Sequence, residues 1–580
     1  MRYKALPLAT AAIAAVAAFA QTAAPDPVLQ AMHDEIARTP HLTVSSLAPP
    51  YFVEYILDQA DTFSASASLG GLISRHRDRY RIPEIHVRVG DYNFDNTNYA
   101  GRVFGSRYDL ESFPIDNNYA VLRRYLWLET DSAYKAAVEG ISRKRAALRN
   151  VTESDPVPDF SHAAAVHLTL PFQSLAIDEN AWADRVRALS AIFASFPEIQ
   201  NSGVDLNSSA GGYYVVNSEG TEVREPENVT YLRVQAVAQA PDGMNVRDTV
   251  TFHSLDPARM PSDAEMTRRV TAMAQEVVAL VHAPKGEDYN GPVLFEGIAG
   301  PQIFAELLGQ NLAIPRRPVT DGNRGVFFAS DLEGRIGARI LPNSFAVLDD
   351  PTQKEWRGSP LFGSYDVDRE GVIPPPLRVV EKGVLKSYLL TRQPVRGFNA
   401  SNGRARTPGS YGAAAAGISN LFVSSSDAIP AAELKKKLID MCRQRGKPYG
   451  IIVRKMDFPS TASLAELRNL FVASEGGGRP VSLPILVYKV YPDGREELVR
   501  GLRFRGLTAR SLKDIVAAGD DSTVFDFLDS PAPMALIGAS SYVSEACTIA
   551  PSILVDDLEM HPLGGEQPKL PIVPPPEMTR

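Results

Sequence analysis

The stretch from Gly291 to Gln310 reads GPVLFEGIAGPQIFAELLGQ, and its reading sets the architecture of everything after it. It opens as a short apolar strand, and Gly297 and Gly300 then mark a turn. Pro301 suits the first position of a helix, where its missing N–H would have no partner in any case. Ile303, Phe304, Leu307 and Leu308 fall on one helical face, and Gly309 is placed as a C-terminal stop. The segment therefore reads as a strand, a turn and an amphipathic helix that packs a core and lines a groove.

Beyond it the chain is strand-rich. Leu377–Leu390 reads as a hairpin turning at Glu381-Lys382-Gly383, and Pro484–Phe504 as another turning at Pro492-Asp493-Gly494. One helix, Ala431–Gln444, separates them. A last strand, Ser552–Leu558, precedes a proline-rich, extended tail over residues 561–580.

Before it, the polar Gly/Pro stretch Ala283–Asn290 reads as a domain boundary. Ser262 and Glu265 make a capping box for a helix ending near His282, whose charge suits the C-terminal dipole. Gly211–Ser254 is a β-meander with turns at Ser218-Glu219-Gly220 and Asp242-Gly243. Trp182, Val186, Leu189 and Phe193 share one face of a helix over Glu179–Phe193. A further helix is expected over Asp131–Arg149, capped by Asp131 or Ser132, followed by a loop over Asn150–Phe160. Ile85, Val87 and Val89 alternate with His86 and Arg88, which reads as a half-buried strand with His86 exposed. The fold class is α+β, with a mixed N-terminal domain (residues 51–285) and an antiparallel-sheet-rich C-terminal domain (286–560).

Composition bounds the function. With 44% hydrophobic and 22% charged residues, the 580-residue chain is globular, and its net charge is −8. It has no basic excess to neutralise phosphates, so nucleic acid is not expected as a partner. Arg2 and Lys4, the apolar run Leu6–Ala17 and Ala18-Phe19-Ala20 form a signal peptide over residues 1–20, followed by a leader over 21–50 with one helix. No later stretch is long enough to span a bilayer, so the expected location is secreted or periplasmic. Two cysteines, Cys442 and Cys547, make no disulfide framework, although one bridge between them stays open. Cys442 follows Leu434 and Leu438 at helical spacing and reads as a buried small hydrophobe.

Metal ligands are scarce. None of the nine histidines precedes a glutamate, so H-E-x-x-H and H-E-x-x-x-H are both absent. His162 and His167, five apart, share a face of neither a helix nor a strand. Asp91–Asn96 lacks the glycine and final glutamate of an EF-hand loop, and there is no G-x-S-x-G elbow or P-loop.

Gly291–Gln310, YDVDREGVIPPPLRVVEKGVLKSYLLTRQ (Tyr365–Gln393) and NSEGTEV (Asn217–Val223) together resemble the TldD/PmbA family, also called modulator of DNA gyrase. The likeness runs from about Tyr55 to Leu558 and is strongest in the C-terminal half. It implies the family's α+β fold and its metallopeptidase setting. Active members carry H-E-x-x-x-H where this chain has Glu296-Gly297-Ile298-Ala299-Gly300-Pro301. Their third zinc ligand is a C-terminal cysteine, and Cys547 lies close to that place with too short a spacing to Pro551–Leu554.

The chain thus resembles the zinc-less TldE/PmbA-type branch, which pairs with a zinc-bearing TldD-type subunit and helps enclose a peptide groove. That implies no cofactor or metal site in this chain, with zinc only in a catalytic partner. It also implies an extended peptide as substrate, bound through a strand edge, and a homo- or hetero-oligomer with a TldD-type homologue. Groove candidates are Glu296 and Gly300, with Asn402 and Tyr411 from the Ser401–Arg404 region, where the family has a polar loop leading to its cleft; an ordinary surface loop is the alternative. Glu296 is the one candidate for catalysis. Two other readings stand beside this one. One is a self-sufficient metallopeptidase built on Glu296, Glu306 and a remote His or Cys, and the other is a non-catalytic envelope scaffold.

N-terminal sequencing of the protein from its native host is expected to begin near Gln21; an intact Met1 in the soluble cytosolic fraction would overturn the export reading.

Overall fold

A computed structural model describes residues 26–39, 48–100, 113–149, 157–320, 328–458, 468, 479–537, 542–564 and 569–571. The expected signal peptide, most of the expected tail and part of the Asn150–Phe160 loop lie outside these residues.

Among the described residues the N-terminal half has one six-stranded sheet and four α-helices. In chain order it comprises α1 (Pro27–Arg38), β1 (Pro50–Ser68), β2 (Gly71–Val89), α2 (Tyr119–Ala147), β3 (His167–Thr169), α3 (Glu179–Ala191), β4 (Ile199–Asn217), β5 (Glu222–Gln239), β6 (Asn245–Ser254) and α4 (Asp263–His282). The strand order is β2-β1-β4-β5-β3, with β6 also paired to β5. All pairs are antiparallel except β3 with β5.

β1, β2 and β4 are each 19 residues long, about 60 Å at ~3.3 Å per residue. That length lets two helix pairs sit end to end over one face. α1 and α2 pack on Val53, Tyr55, Leu57 and Val216. α3 and α4 pack on Phe63, Leu206, Leu232 and Val234, burying Trp182, Val186, Leu189 and Phe193 as the spacing predicts. On the opposite face Ile56, Tyr213, Val215 and Val223 meet Val367 from the second half.

Three expectations are corrected here. α2 begins at Tyr119 under an Asn118 cap, twelve residues before Asp131. Leu122, Leu126 and Thr130 are buried at helical spacing and carry the helix through, while Asp131 lies inside it and pairs with Lys135. His86 is half-buried rather than exposed, with Nδ1 3.0 Å from Glu54, and Arg88 is buried against Asp95. The second half covers this face, so alternation there separates two packed surfaces rather than core from water. At α4, Ser262 caps the Glu265 N–H, but the Glu265 carboxylate pairs with Arg268 instead of closing the box.

The C-terminal half opens with β7 (Tyr289–Phe295), α5 (Ala299–Phe304), a π turn (Ala305–Gly309) and α6 (Gln310–Leu312). Then come β8 (Phe345–Asp349), β9 (Glu355–Trp356), β10 (Ser359–Pro360), β11 (Leu377–Glu381), β12 (Val384–Leu385), β13 (Ala405–Pro408), β14 (Ala414–Ala416), β15 (Asn420–Ser425) and α7 (Ala431–Gln444). It closes with β16 (Gly450–Met456), β17 (Pro484–Val490), β18 (Glu496–Val499), β19 (Leu502–Arg505), β20 (Ile515–Ala518), β21 (Thr523–Asp529), β22 (Ser544–Ala550) and β23 (Ile553–Pro562).

Two larger sheets, β12-β11-β8-β15-β22-β21 and β18-β17-β16-β7-β23-β19 with β20 on β23, enclose the α5 helix in one core. Antiparallel pairs dominate, but β15–β22 and β7–β16 are parallel. No sheet among the described residues mixes strands from before and after residues 283–290.

The α5 region differs in detail from its sequence reading. The helix begins at Ala299, so Pro301 is its third residue, and Gly309 does not stop it. A Cβ at Gly309 would lie 3.1 Å from Ile418, so the absent side chain allows close packing rather than a C-cap. Both expected hairpins are shorter than predicted: β12 has two residues, and β19 leaves β18 to pair with β23. β23 itself runs into the expected tail, to Pro562. α7 is as expected; it buries Cys442, and both cysteines are free thiols.

Gly211 lies where β1, β4 and β5 press together, and a Cβ there would meet the Gln59 carbonyl at 2.0 Å. Gly211→Ala is expected to destabilise the chain by about 1–3 kcal/mol or more, read as a fall in thermal midpoint, whereas Gly71→Ala, with 3.5 Å to its nearest neighbour, should be tolerated.

Candidate functional site

β7 is held between β16 and β23, and this fixes the start of α5. The Glu296 N–H donates to the Val453 carbonyl at 2.9 Å. Gly297, at φ +61°, donates its N–H to Ser552 Oγ at 2.9 Å, and Ser552 in turn donates to Asp521 at 2.6 Å. A Cβ at Gly300 would lie 2.4 Å from the Pro551 carbonyl, so Gly300 is there for close packing. The Gln302 side-chain amide oxygen accepts the Met456 N–H at 2.9 Å.

These residues do not fit zinc. Of the three positions that carry His, Glu and His in the resemblance, only Glu296 has a donor side chain, and Arg454 Nε engages it at 2.5 Å. Arg454 also makes a two-pronged contact with Glu496 at 2.8 and 3.0 Å and lies over the Tyr488 ring. Gly297 offers no side chain, and Pro301 is buried without a donor. Glu306 points elsewhere: it is buried, accepts the Ser482 N–H at 2.7 Å, and burial pushes its carboxyl up to about 7. Cys547 is buried beside Asp526, its cross-strand partner on β21. His162 stacks on Tyr92, and His167 lies on β3. Among the described residues no group of three or more His, Cys, Asp or Glu could hold a metal.

Beside α5 lies a cavity of about 750 Å³ between the two halves, walled by β6 and α4 on one side and by Arg454, Tyr488 and Asp526 on the other. His253 lines it between the rings of Tyr231 and Phe362, and burial pushes it down to about 3, so it is a neutral imidazole.

A second cleft lies at the loop singled out by Asn402 and Tyr411. Asn402 is a staple: its amide donates to the Tyr388 carbonyl at 2.8 Å and its oxygen accepts the Leu390 N–H at 2.8 Å. Arg404, fully buried, pairs with Asp349 at 2.6 Å and starts the β13–β14 hairpin. Tyr411, at the hairpin tip, is exposed with φ +60° and lines a cavity of about 420 Å³. The floor is Ala413–Ala416, which spans β14, and among the described residues β14 pairs with β13 alone. The opposite wall is the strip 313–318, tied at its ends by bridges from Ala313 to Leu389 and from Val319 to Tyr99. The structure therefore does not gather the four groove candidates. Glu296 and Gly300 stand at α5, Tyr411 lines the β14 cleft, and Asn402 holds the loop that leads to it. The run of four alanines at 413–416 was the sequence signal for this cleft, since small side chains leave room above a strand.

Residues 290–457 match the family model for the PmbA/TldA metallopeptidase C-terminal domain. A metalloprotease of Methanothermobacter thermautotrophicus is 28% identical over 201 residues, 33% of this chain and 38% of that protein. A metalloprotease of Archaeoglobus fulgidus is 36% identical over 81 residues, 14% of this chain and 18% of that protein. The chain thus matches well under half the length of these relatives. In fold it is similar to TldE from Thermococcus kodakarensis, with TM-score 0.52 and 12% identity over 92% of this chain and 100% of that one. It is also similar to a putative modulator of DNA gyrase from Bacteroides thetaiotaomicron, with TM-score 0.53 and 13% identity over 93% and 98%. Residues 290–457 thus carry the PmbA/TldA metallopeptidase C-terminal domain, and the chain has the two-domain α+β fold of the TldE structure.

The seam between the halves is acidic. Burial raises Glu225 to about 7, and raises Asp368, Glu370 and Glu545 as well, with Glu227 adding to the rise at Glu545. Arg406 lies near Glu545, Arg369 and Arg392 pair with Asp58 and Glu219 beside them, and the contact with Glu54 raises the His86 pKa. A carboxyl raised in the folded state binds more protons folded than unfolded, so each such group costs stability as pH climbs from about 4.5 to about 7 and above. His86, raised from 6.5, loses its contribution as pH rises through its folded value, the same sign. Asp95 and Glu54 are lowered and act oppositely, losing stability at acid pH. The thermal midpoint is therefore expected to be highest near pH 5–6 and to fall by several degrees by pH 8.5, with Glu545→Gln flattening part of the fall.

Proposed function

We propose that this chain is an extracytoplasmic peptide-binding member of the TldD/PmbA family, and that it serves proteolysis as the zinc-less partner of a catalytic homologue. An extended peptide lies along the outer edge of β14, between the Ala413–Ala416 floor and the 313–318 strip. One observation carries this reading: among the described residues β14 pairs with β13 alone, and its alanines line a cleft. Main-chain hydrogen bonds to such an edge give affinity with little demand on peptide sequence. The metalloprotease relatives supply the proteolytic setting. The donor set around Glu296 gives no means of activating water on this chain, which is why hydrolysis is assigned to a partner. Homo- or hetero-association with a TldD-type subunit would bring the β14 cleft to that active centre.

Fluorescence anisotropy with a labelled, unstructured peptide tests the binding mode. Binding should be lost when alternate peptide amides are N-methylated, because the edge then has no donors to pair with; indifference to methylation would sink the strand-edge reading. Elemental analysis of the purified chain is expected to find no stoichiometric zinc, and peptides should stay intact. About one zinc per chain, with chelator-sensitive cleavage that Glu296→Ala abolishes, would favour the self-sufficient metallopeptidase instead.

A further inference from the structure

The cavity of about 750 Å³ beside α5 is within the size range of small-molecule sites. Most of the charge on its walls is answered locally. Arg268 pairs with Glu265 at 2.7 Å, Lys455 with Asp248 at 2.7 Å, and Arg454 with Glu296 and Glu496 at 2.5 and 2.8 Å. Glu276 hydrogen-bonds Asp248, and burial pushes its carboxyl up to about 7.

Arg269 and Asp526 differ. Arg269, on α4, donates to the neutral Thr251 carbonyl at 3.2 Å and lies over the Phe252 ring, and it enters no ion pair among the described residues. Its neighbour Glu265 is already held by two nitrogens of Arg268, and the nearby His253 is neutral. Asp526, on β21 in the opposite wall, accepts the Phe362 N–H and the Cys547 S–H, both from neutral groups. Its Oδ1 is buried without a partner, and among the described residues no cation pairs with it. The Thr249 hydroxyl on β6 lines the same cavity and is also buried without a partner. Buried polar atoms are nearly always hydrogen-bonded, and a buried charge without a counter-charge is costly. Two such atoms and two unanswered charges of opposite sign border one space, whose walls between them include Ile298, Leu486 and Phe525.

We infer that this cavity binds a small zwitterion, a free amino acid or a short unblocked peptide, with its carboxylate on Arg269 and its ammonium on Asp526. A plain anion would leave Asp526 unanswered and a plain cation would leave Arg269 so; a molecule carrying both groups answers both. The guanidinium fork matches a carboxylate. α4 belongs to the first half and β21 to the second, so the ligand bridges the two. This inference stands apart from the β14 reading and does not need it.

Calorimetry on the full chain tests it with leucine, Leu-Ala and Leu-Ala-Ala, each free, N-acetylated, C-amidated and blocked at both ends. The three lengths separate an amino acid from a short peptide as the ligand. At least one free compound should bind, and blocking either end should weaken it roughly tenfold or more. In Asp526→Asn the free and acetylated forms should bind alike, and in Arg269→Gln the free and amidated forms should. These are ratios within one variant, so a general loss of stability does not produce them. Doubly blocked compounds that bind as tightly as free ones overturn the inference. So does a variant that weakens all four forms alike, and so does a lack of binding by every free compound at millimolar concentration, which leaves the cavity to water.

Discussion

Arg404 and Asp349 are both fully buried and form an ion pair at 2.6 Å, and the functional half is arranged around it. Burying two charges costs several kcal/mol per ion unless hydrogen bonds replace the lost water. Here they do. Arg404 also donates to the carbonyls of Asn402, Pro375 and Asp349, and Asp349 accepts from both the N–H and the hydroxyl of Ser419. Four separate segments are thereby held to one point: the end of β8, the loop before β11, the Asn402–Arg404 loop and the entry to β15. Removing either partner would leave the other charged and alone, at a cost of about 3–5 kcal/mol. The position of the β13–β14 hairpin, and so of the cleft beside it, follows from this pair.

The same device joins the two halves. Arg369 from the second half pairs with Asp58 and Glu84 on the first sheet. Arg392 donates to the Ser161 carbonyl at 2.6 Å and pairs with Glu219 at 2.7 Å. Arg88 from the first half reaches the Gly412 carbonyl at 2.8 Å, next to Tyr411. The seam is therefore directional and charged rather than a plain apolar contact, and its excess of carboxylates makes its strength depend on proton uptake. The 19-residue strands of the first sheet give it the span to reach from its own helical core to the hairpin that shapes the cleft.

Periodicity made much of this legible, and its failures have local causes. α3, α4 and α7 were readable because one face of each is apolar and each has a clear start. α2 was cut short because Asp131 looks like a cap, although Leu122 and Leu126 before it already define the buried stripe. His86 was misplaced because alternation cannot tell water from a second polar packing surface. Gly309 was read as a stop because a glycine kept for close packing against Ile418 looks the same in sequence as one kept for a left-handed turn. Of the site, the absence of donor side chains at Gly297 and Pro301 was visible at once. The cleft was not read, because its signal is a run of four alanines at 413–416, which marks free space without marking chemistry.

That contrast bears on what α5 does now. Arg454 puts a positive charge beside Glu296, where the resemblance has a metal. A guanidinium has five donors and no acceptor and stays protonated, so it cannot bind water as a Lewis acid does or lower its pKa. Its charge is already answered by Glu296 and by both oxygens of Glu496, which ties β7 to β16 and β18. The place is thus finished as a structural joint, with the helix still packed through Gly300, Ile303 and Phe304. The domain keeps its helix and its core, and the donor position is an ion-paired joint. Recognition through backbone edges needs little more than a rigid strand and free space above it. The Arg404–Asp349 pair supplies the rigidity, and the four alanines supply the space.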